Sequence, residues 1–250
     1  MKGCGISTWG GLMADKIIAV SDLNAHYGLS HTLHGLSLAV GRECVAIMGR
    51  NGVGKTTLAR ALVGLNPPKA EGEIAIFGED VSGWPPHRVA RHGVGYVPQG
   101  RRLFPSLTVE EHLSLNLRKG PAGDRWTMQA VYDMFPSLAK RRKSFGNQIS
   151  GGERSMLAIG RALVTNPGCL ILDEPTEGLA PAVVEDVATG LRDLSREGVA
   201  VLLIEQNVKA AALAADRAYF MAEGHIVHET DDKDAMTNDE VLSKYLGVSA

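Results

Sequence analysis

The chain has 250 residues, of which 44% are hydrophobic and 22% charged, and 26 Lys and Arg against 28 Asp and Glu give a net charge of -2. This is the composition of a globular protein with one large domain or two small ones, and it excludes a disordered, collagen-like or disulfide-rich chain. A near-neutral chain has no overall positive field to hold nucleic acid. We therefore predict no nucleic-acid partner.

The chain also lacks the features of a membrane-spanning or secreted protein. No apolar run approaches the roughly 18 residues that a spanning helix needs, and the N-terminal residues make a poor secretory signal. These patterns predict a cytoplasmic location. Met13 offers a second plausible start, so residues 1–12 are expected to be a disordered extension or the product of an alternative gene start. Of three cysteines without metal-ligand spacing, Cys4, Cys44 and Cys169, the last two are predicted to be buried, reduced thiols.

Runs rich in Val, Ile and Ala predict strands, in chain order, at residues 17–20, 43–48, 169–172, 199–204 and 218–221. The second to fourth runs show no alternation, as expected for parallel strands that are covered on both faces. Apolar residues at helical spacing follow Gly54 and recur at residues 156–164. The pattern predicts an α/β fold with a mostly parallel sheet.

Strand signals disappear between Gln99 and Ser150, where helix-like stretches at residues 109–117 and 128–135 flank a polar break at residues 120–124. We interpret this region as a helical subdomain, at about residues 100–157, inserted into a single domain of residues 13–250. Residues 219–227 predict a hairpin about Glu223-Gly224, and a last helix is expected around residues 240–245.

A phosphate-binding loop is predicted at residues 49–57, GRNGVGKTT, which match GxxxxGK[ST] between a predicted strand and a predicted helix. Glycines there let successive backbone N–H groups converge on phosphate oxygens at a helix N-terminus. Lys55 adds charge for the β- and γ-phosphates, Thr56 is placed to bind Mg²⁺, and Thr57 contacts another phosphate. The predicted nucleotide contacts of this loop are Gly49, Arg50, Asn51, Gly52, Val53, Gly54, Lys55, Thr56 and Thr57.

Two adjacent carboxylates end the apolar run CLILDE at residues 169–174. Strand alternation sends the two side chains in different directions. Asp173 is therefore predicted to approach the magnesium ion, and Glu174 to polarise the attacking water as general base or positioner.

A second anion-binding segment is predicted at residues 149–153, ISGGE, where a helix opens near Glu153. Its predicted nucleotide contacts are Ser150, Gly151, Gly152 and Glu153. One nucleotide does not need two such segments. We therefore expect this one to bind the γ-phosphate held by another subunit's loop, so that ATP closes a dimer and hydrolysis releases it.

These motifs in this order, with YVPQG at residues 96–100, resemble the ATP-binding cassette (ABC) family from about residue 17 to the C-terminus. The resemblance implies a P-loop NTPase fold, with a RecA-like core, N-terminal antiparallel strands and the inserted helical subdomain, and it implies ATP and Mg²⁺ as cofactors. It also implies that Tyr27 stacks on adenine. Gln99 would contact magnesium and the attacking water, and would report nucleotide state to the helical subdomain.

Within the family, segments such as GRNGVGKTT, DEPTEGLAP and IEQN are similar to the ATPase subunits of branched-chain amino acid importers, and urea and amide importer ATPases are similar too. This implies a second ATPase subunit, identical or different, membrane permeases, and indirectly a solute-binding protein. It also implies a peripheral location on the cytoplasmic side of the bacterial inner membrane. A soluble ABC ATPase that remodels nucleic acid or ribosomes stays open as an alternative, whereas a metabolic P-loop kinase leaves ISGGE unexplained.

Two positions depart from the general family pattern. Gln206 stands where many members have a histidine that contacts the γ-phosphate, and as a glutamine it can donate a hydrogen bond but carries no charge. Ala180 stands where aspartate is frequent. Neither change predicts inactivation, because both look usual for the amino-acid-importer group.

Several charged residues are secondary candidates. Arg101 and Arg102 start the segment that would face a membrane partner. The basic run at residues 140–143 is interpreted as a solvated helix end. His225 and His228 are expected to face solvent.

Overall fold

The computed structural model describes residues 16–120 and 123–247. The proposed extension at residues 1–12, the second start at Met13, Cys4 and part of the polar break at 120–124 lie outside these ranges. The strands, in chain order, are β1 (Ile18–Tyr27), β2 (Ser30–Val40), β3 (Cys44–Gly49), β4 (Lys69–Ile76), β5 (Glu79–Asp80), β6 (Val94–Val97), β7 (Cys169–Asp173), β8 (Ala200–Glu205), β9 (Arg217–Ala222) and β10 (His225–Thr230). The helices are α1 (Lys55–Leu62), α2 (Pro86–Arg91), α3 (Val109–Leu115), α4 (Met128–Met134), α5 (Pro136–Lys140), α6 (Gly151–Leu163), α7 (Pro181–Arg196), α8 (Val208–Ala214), α9 (Lys233–Thr237) and α10 (Asp239–Leu246).

The strands form two sheets. The N-terminal sheet is antiparallel, in the order β2-β1-β4-β5, and the larger sheet has the order β10-β9-β3-β8-β7-β6, in which only β10 runs antiparallel to its neighbour. Val45 of β3 thus pairs with Leu202 of β8 on one side and with Arg217 of β9 on the other. The α/β fold with antiparallel N-terminal strands is confirmed.

Successive residues of β3 enter two different cores. Cys44, Ala46 and Met48 pack with the helices on one face of the large sheet, whereas Val45 and Ile47 pack with α1 and the antiparallel sheet on the other. Both faces are covered, which explains the unbroken apolar run in the sequence. Cys44 and Cys169 are free and buried as expected; burial raises the pKa of both thiols, that of Cys169 to about 12.

The described residues between β6 and β7 form helices α3 to α6. Their apolar side chains, such as Leu113, Val131 and Leu138, are fully buried against the core that also contains α6 and α7. In residues 16–120 and 123–247, no helix combines the length and the hydropathy that crossing a membrane requires.

The sequence patterns missed or shortened several elements. β1 extends past the predicted residues 17–20. The prediction stopped short because irregular pairing between Val20 and Leu23 breaks the alternation of apolar and polar residues. Helix α6 begins at Gly151 rather than near Glu153. Helix α7 was missed, although Val184, Val187 and Leu191 follow helical spacing on its buried face.

Candidate functional site

The loop at residues 49–57 connects the carboxyl end of β3 to the start of α1. Gly54 precedes the helix with φ 108°, and a Cβ there would lie 2.8 Å from Leu33 Cδ2, so only glycine fits. Lys55, only 4% exposed, donates from Nζ to the carbonyl oxygens of Gly49 (2.8 Å) and Arg50 (3.1 Å). The lysine therefore folds back along the loop that the sequence predicts to bind phosphate.

Thr56 and Asp173 meet where α1 begins and β7 ends. The Thr56 hydroxyl donates to Asp173 Oδ1 at 3.1 Å, while Asp173 Oδ2 is buried and has no hydrogen-bond partner among the described residues. Burial, with the charge of Glu174 nearby, raises the pKa of Asp173 to about 6. An unpaired buried carboxylate oxygen beside a hydroxyl is a donor set that suits a hard divalent cation, so these residues fit Mg²⁺.

Glu174 follows β7 with a left-handed backbone, φ 50°. Such a conformation is strained in a non-glycine residue and is often found at functional sites. Its side chain is nearly buried and forms an ion pair with Lys55 (Oε1 to Nζ 3.2 Å), and Gln99 Nε2 donates to its other oxygen at 3.0 Å. The structure thus brings together three of the predicted catalytic residues, Lys55, Gln99 and Glu174.

Gln99 and Arg101 both contact the segment that follows Glu174. Gln99 Nε2 also donates to Glu177 Oε2 at 3.1 Å. Arg101 donates to the Ser155 hydroxyl of α6 and to the Glu177 carbonyl oxygen, each at 2.6 Å. These bonds connect the start of the helical region, helix α6 and the segment after β7.

The predicted second anion-binding segment forms the N-terminus of α6. Ser150 and Glu153 form a capping box, in which the Ser150 N–H donates to the Glu153 carboxylate (2.8 Å) and the Glu153 N–H to the Ser150 hydroxyl (3.2 Å). The Ser150 hydroxyl acts as an acceptor in this box and keeps its own proton to donate, so the hydroxyl and the amides of Gly151 and Gly152 are the groups that could bind an anion here. Arg141, which the sequence analysis treated only as part of a solvated basic run, lies 3.6 Å from the Glu153 carboxylate.

Two other predicted site residues, Tyr27 and Gln206, form no side-chain hydrogen bond with Lys55, Gln99 or Glu174 in the described part of the chain. Tyr27 is half-buried at the end of β1, and Gln206 is exposed just after β8. Within the described part of the chain, no hydrogen bond or ion pair joins residues 150–153 to residues 49–57. In the described residues, direct polar contacts therefore do not link the two predicted anion-binding segments to each other.

The loop is also held from the C-terminal side of the chain. The Gly224 N–H donates to the Val53 carbonyl oxygen at 3.0 Å, and the His34 N–H donates to the Gly224 carbonyl oxygen at 3.1 Å. The predicted hairpin turn of residues 223–224 therefore connects the phosphate-binding loop to the antiparallel sheet.

Glu205 is a site residue that the sequence analysis missed. It ends β8, is 2% exposed, and accepts hydrogen bonds from Thr176 and from the amides of Gln206 and Asn207. Burial raises the pKa of Glu205. The sequence signal that could have identified it is a carboxylate at the end of an otherwise apolar strand, as at Glu205 in AVLLIE.

The expectation for His228 was wrong. Its ring stacks on Tyr245 of α10, with centroids 4.5 Å apart, and it is only partly exposed because α10 packs on this hairpin. His225 is exposed as expected, although its ring stacks on that of His34.

Comparison with known proteins identifies relatives that match more than nine-tenths of this chain. Residues 33–177 match the family described as ABC transporter. The high-affinity branched-chain amino acid transport ATP-binding protein BraG of Pseudomonas aeruginosa is 40% identical over 92% of this chain and 100% of its own length. The lipopolysaccharide export system ATP-binding protein LptB of Haemophilus influenzae is 35% identical over 93% of this chain and 98% of its own length.

Solved structures share the fold. A nucleotide-free ATP-binding cassette from an ABC transporter superposes with a TM-score of 0.78 at 23% identity, over 93% of this chain and all of that one. A dimeric bacterial ABC transporter cassette gives a TM-score of 0.73 at 25% identity, over 85% of this chain and 97% of that one.

Proposed function

The chain belongs to the ABC transporter family and is an ATP-binding ATPase subunit, and from this premise we propose that it powers a bacterial importer of branched-chain amino acids. The observation that carries the proposal is the 40% identity to BraG over that protein's entire length. The cluster of Lys55, Gln99 and Glu174 supports ATP hydrolysis as the source of power.

In the proposed mechanism, the triphosphate of ATP lies along residues 49–57. Lys55 would exchange its ion pair with Glu174, at 3.2 Å, for contacts with the more highly charged phosphates. Thr56, Asp173 and Gln99 would hold Mg²⁺, which neutralises charge developing on the β- and γ-phosphates. Tyr27 would stack on the adenine.

Glu174, once released from Lys55, would accept a hydrogen bond from the attacking water. Gln99 already donates to Glu174 at 3.0 Å, so the amide can orient both the carboxylate and the water. Gln206 would donate to the γ-phosphate without carrying charge. In this proposal Glu174 is the base, Gln99 positions the water, and Gln206 donates a hydrogen bond to the γ-phosphate.

We propose that two cassettes close around two nucleotides, each site completed by Ser150, Gly151, Gly152 and Glu153 of the other subunit. The dimeric form of a related cassette supports this arrangement, and among the described residues no hydrogen bond or ion pair joins residues 150–153 to residues 49–57 of the same chain. The other subunit is an identical chain or a different cassette. In a heterodimer, Gln206 and the partner's equivalent residue would make unequal sites.

The helical region offers a surface for membrane permeases. Four large apolar side chains in or beside it are exposed, namely Phe104, Leu115, Leu117 and Phe145. Interaction surfaces are typically built from exposed apolar side chains, and these four would contribute to one. We propose that this face of residues 100–157 docks on permeases, which places the protein peripherally at the cytoplasmic side of the inner membrane.

Other transport roles remain as second candidates. The 35% identity to LptB supports lipopolysaccharide export, and the motif resemblance supports a urea or amide importer. A soluble, non-transport ABC ATPase is the remaining alternative, disfavoured by a net charge of -2 that provides no field for nucleic acid.

A deletion strain tests the proposal. We expect loss of energy-dependent uptake of radiolabelled leucine, with recovery on expression of the wild-type chain but not of the Glu174→Gln variant. Unchanged leucine uptake would contradict amino-acid import. Loss of lipopolysaccharide transport or of urea uptake in the same strain would instead identify one of the other transport roles.

A further inference from the structure

Glu205 is the most fully hydrogen-bonded carboxylate near the candidate site. Its Oε1 accepts from the Thr176 hydroxyl (2.6 Å) and the Thr176 N–H (3.1 Å), and its Oε2 accepts from the N–H groups of Gln206 (3.1 Å) and Asn207 (3.2 Å). Only an ionised carboxylate offers acceptors to four donors at once.

The two segments that meet at Glu205 both carry residues of the site. Thr176 lies two residues after Glu174, whose strained backbone (φ 50°) is also bonded to β8 through its N–H to the Ile204 carbonyl oxygen at 2.9 Å. On the other side, Gln206 follows Glu205 directly, and Asn207 caps α8 by accepting from the Ala210 N–H at 3.1 Å. Glu205 therefore fixes where the segment after β7 lies relative to the segment after β8.

Fold stability alone does not account for a carboxylate at this position. The preceding residues of β8, Ala200 to Ile204, are all apolar and buried. Burying a charge is costly, and apolar residues of similar size often give equal or greater stability. A buried carboxylate that collects donors from two separate loops is better explained by the geometry it imposes on those loops.

We propose that Glu205 is a positioning residue for ATP hydrolysis, which holds Glu174 and Gln206 in fixed relation on either side of the γ-phosphate. The inference rests on the roles proposed above for those two residues. Among the described residues, the Glu205 side chain forms hydrogen bonds with Thr176, Gln206 and Asn207 and none with the phosphate-binding loop or Asp173. We therefore expect its loss to affect turnover and to leave nucleotide binding largely intact.

The test is Glu205→Gln in the full chain. The amide has the same size but turns one acceptor into a donor, which faces an N–H group or the Thr176 hydroxyl. We expect the rate of Mg·ATP hydrolysis per nucleotide-bound subunit, kcat, to fall about ten-fold or more. The Kd for ATP should stay within about two-fold of wild type. A kcat within about two-fold of wild type would overturn the proposal, as would an equal loss of affinity and turnover.

Thr176→Val keeps the test decisive if Glu205→Gln does not fold. It removes only the 2.6 Å hydroxyl bond and keeps the side-chain shape, so we expect a smaller loss of kcat, about three-fold, again at unchanged Kd. An unchanged kcat in Thr176→Val, when it is the only folded variant, would overturn the proposal. Wild-type turnover in the same assay tests the ATPase activity separately.

Glu43→Gln is the matched control. Glu43 is a partly buried carboxylate that accepts from Arg217 at 2.8 Å, and it precedes β3 at the opposite end of that strand from the phosphate-binding loop. The same substitution there should lower the melting temperature while kcat stays at the wild-type value. A similar loss of kcat in both variants would show that Glu205 has only a structural role.

Discussion

Lys55 and Glu174 neutralise each other at the centre of the site. Both side chains are less than one-tenth exposed, and their 3.2 Å ion pair satisfies two charges that are costly to bury alone. In the proposed mechanism, a phosphate chain in the loop would compete with Glu174 for the lysine. On that proposal, binding of the nucleotide and release of Glu174, the proposed general base, would be coupled through the Lys55 ammonium group.

Glu174→Gln should separate binding from chemistry. The amide keeps the size and the bond to Gln99 but cannot accept a proton, so we expect turnover to fall by about 100-fold or more while ATP still binds. Because ATP is then not consumed, the variant should accumulate as an ATP-dependent dimer, measured by size-exclusion chromatography with multi-angle light scattering.

Glu185→Gln serves as the control, since it changes the same functional group at an exposed position on α7. It should hydrolyse ATP at the wild-type rate. Substantial residual ATPase activity in Glu174→Gln would show that another group acts as the base.

Individual site residues were predictable where a local pattern encodes them. The apolar run that ends in two acids locates Asp173 and Glu174, and the glycine pattern locates Lys55. Strand alternation does not set the direction of the Glu174 side chain, because Glu174 lies beyond β7 with a left-handed backbone. Glu205 and Arg141 were not predictable in the same way, because their partners, Thr176 and Glu153, become neighbours only through the fold.

At the scale of elements, helices α3 and α6 begin with the same device. Thr108 and Glu111 form a capping box at α3, as Ser150 and Glu153 do at α6. Each box satisfies backbone N–H groups that a helix start leaves unpaired. Only the box at α6 lies in a segment proposed to bind the other subunit's nucleotide. Comparing equivalent substitutions in the two boxes therefore distinguishes the effect of losing a cap from the effect of losing a nucleotide contact.

We expect Thr108→Ala and Ser150→Ala each to lower the free energy of unfolding by about 1 kcal/mol, because each removes one cap acceptor. Urea unfolding measures this effect. Only Ser150→Ala should also reduce ATP-dependent dimer formation and ATPase activity. Equal ATPase losses in the two variants would contradict a specific role of the α6 N-terminus.

Elements were predictable from sequence when their apolar pattern was regular. The unbroken runs of β3, β7 and β8 reflect burial on both faces. Helix boundaries were less predictable: the α6 start depends on the Ser150 capping geometry, and Phe135, between α4 and α5, has a non-helical backbone (φ -124°, ψ 77°) that interrupts an otherwise continuous pattern.

At the scale of the whole molecule, Arg217 joins the two sheets. From the start of β9 it donates to the Ala39 carbonyl oxygen of β2 at 2.7 Å and to Glu43 at 2.8 Å, and it also pairs with Glu229 of β10. Partial burial alone would raise the pKa of Glu43, but the hydrogen bonds from Arg217 and the Gly41 N–H outweigh it, and the pKa is lowered.

Glu43→Gln should therefore weaken the fold in a pH-dependent way. A lowered pKa in the folded state gives stability that is fully present above the unfolded value, about 4.3, and is lost as the pH falls through the folded value. We expect the variant to lose about 1 kcal/mol at pH 7. The difference from wild type should shrink below about pH 4.

Urea unfolding at both pH values measures this difference, with Glu185→Gln as the exposed control. A difference that stays constant down to pH 3 would contradict the ionic contribution of Glu43.

The architecture was predictable as a class but not in its connections. Hydrophobic runs indicate a parallel sheet, yet no local sequence pattern predicts that β9 and β8 lie on either side of β3. That order depends on long-range pairings such as Val45 with Leu202 and with Arg217, which no sequence window contains.

The position of β3 has a consequence for the order of events during synthesis. The strand leads directly into GRNGVGKTT, yet its neighbours in the sheet are β8 (Ala200–Glu205) and β9 (Arg217–Ala222). The hydrogen-bond donor to the Val53 carbonyl oxygen is the N–H of Gly224, which is also made late. Translation runs from the N-terminus, so the loop leaves the ribosome long before the strands that fix it. We expect a chain interrupted before β9 to lack the pairing with β9 and the bond from Gly224 that fix the loop, although every residue of the phosphate-binding motif has been made.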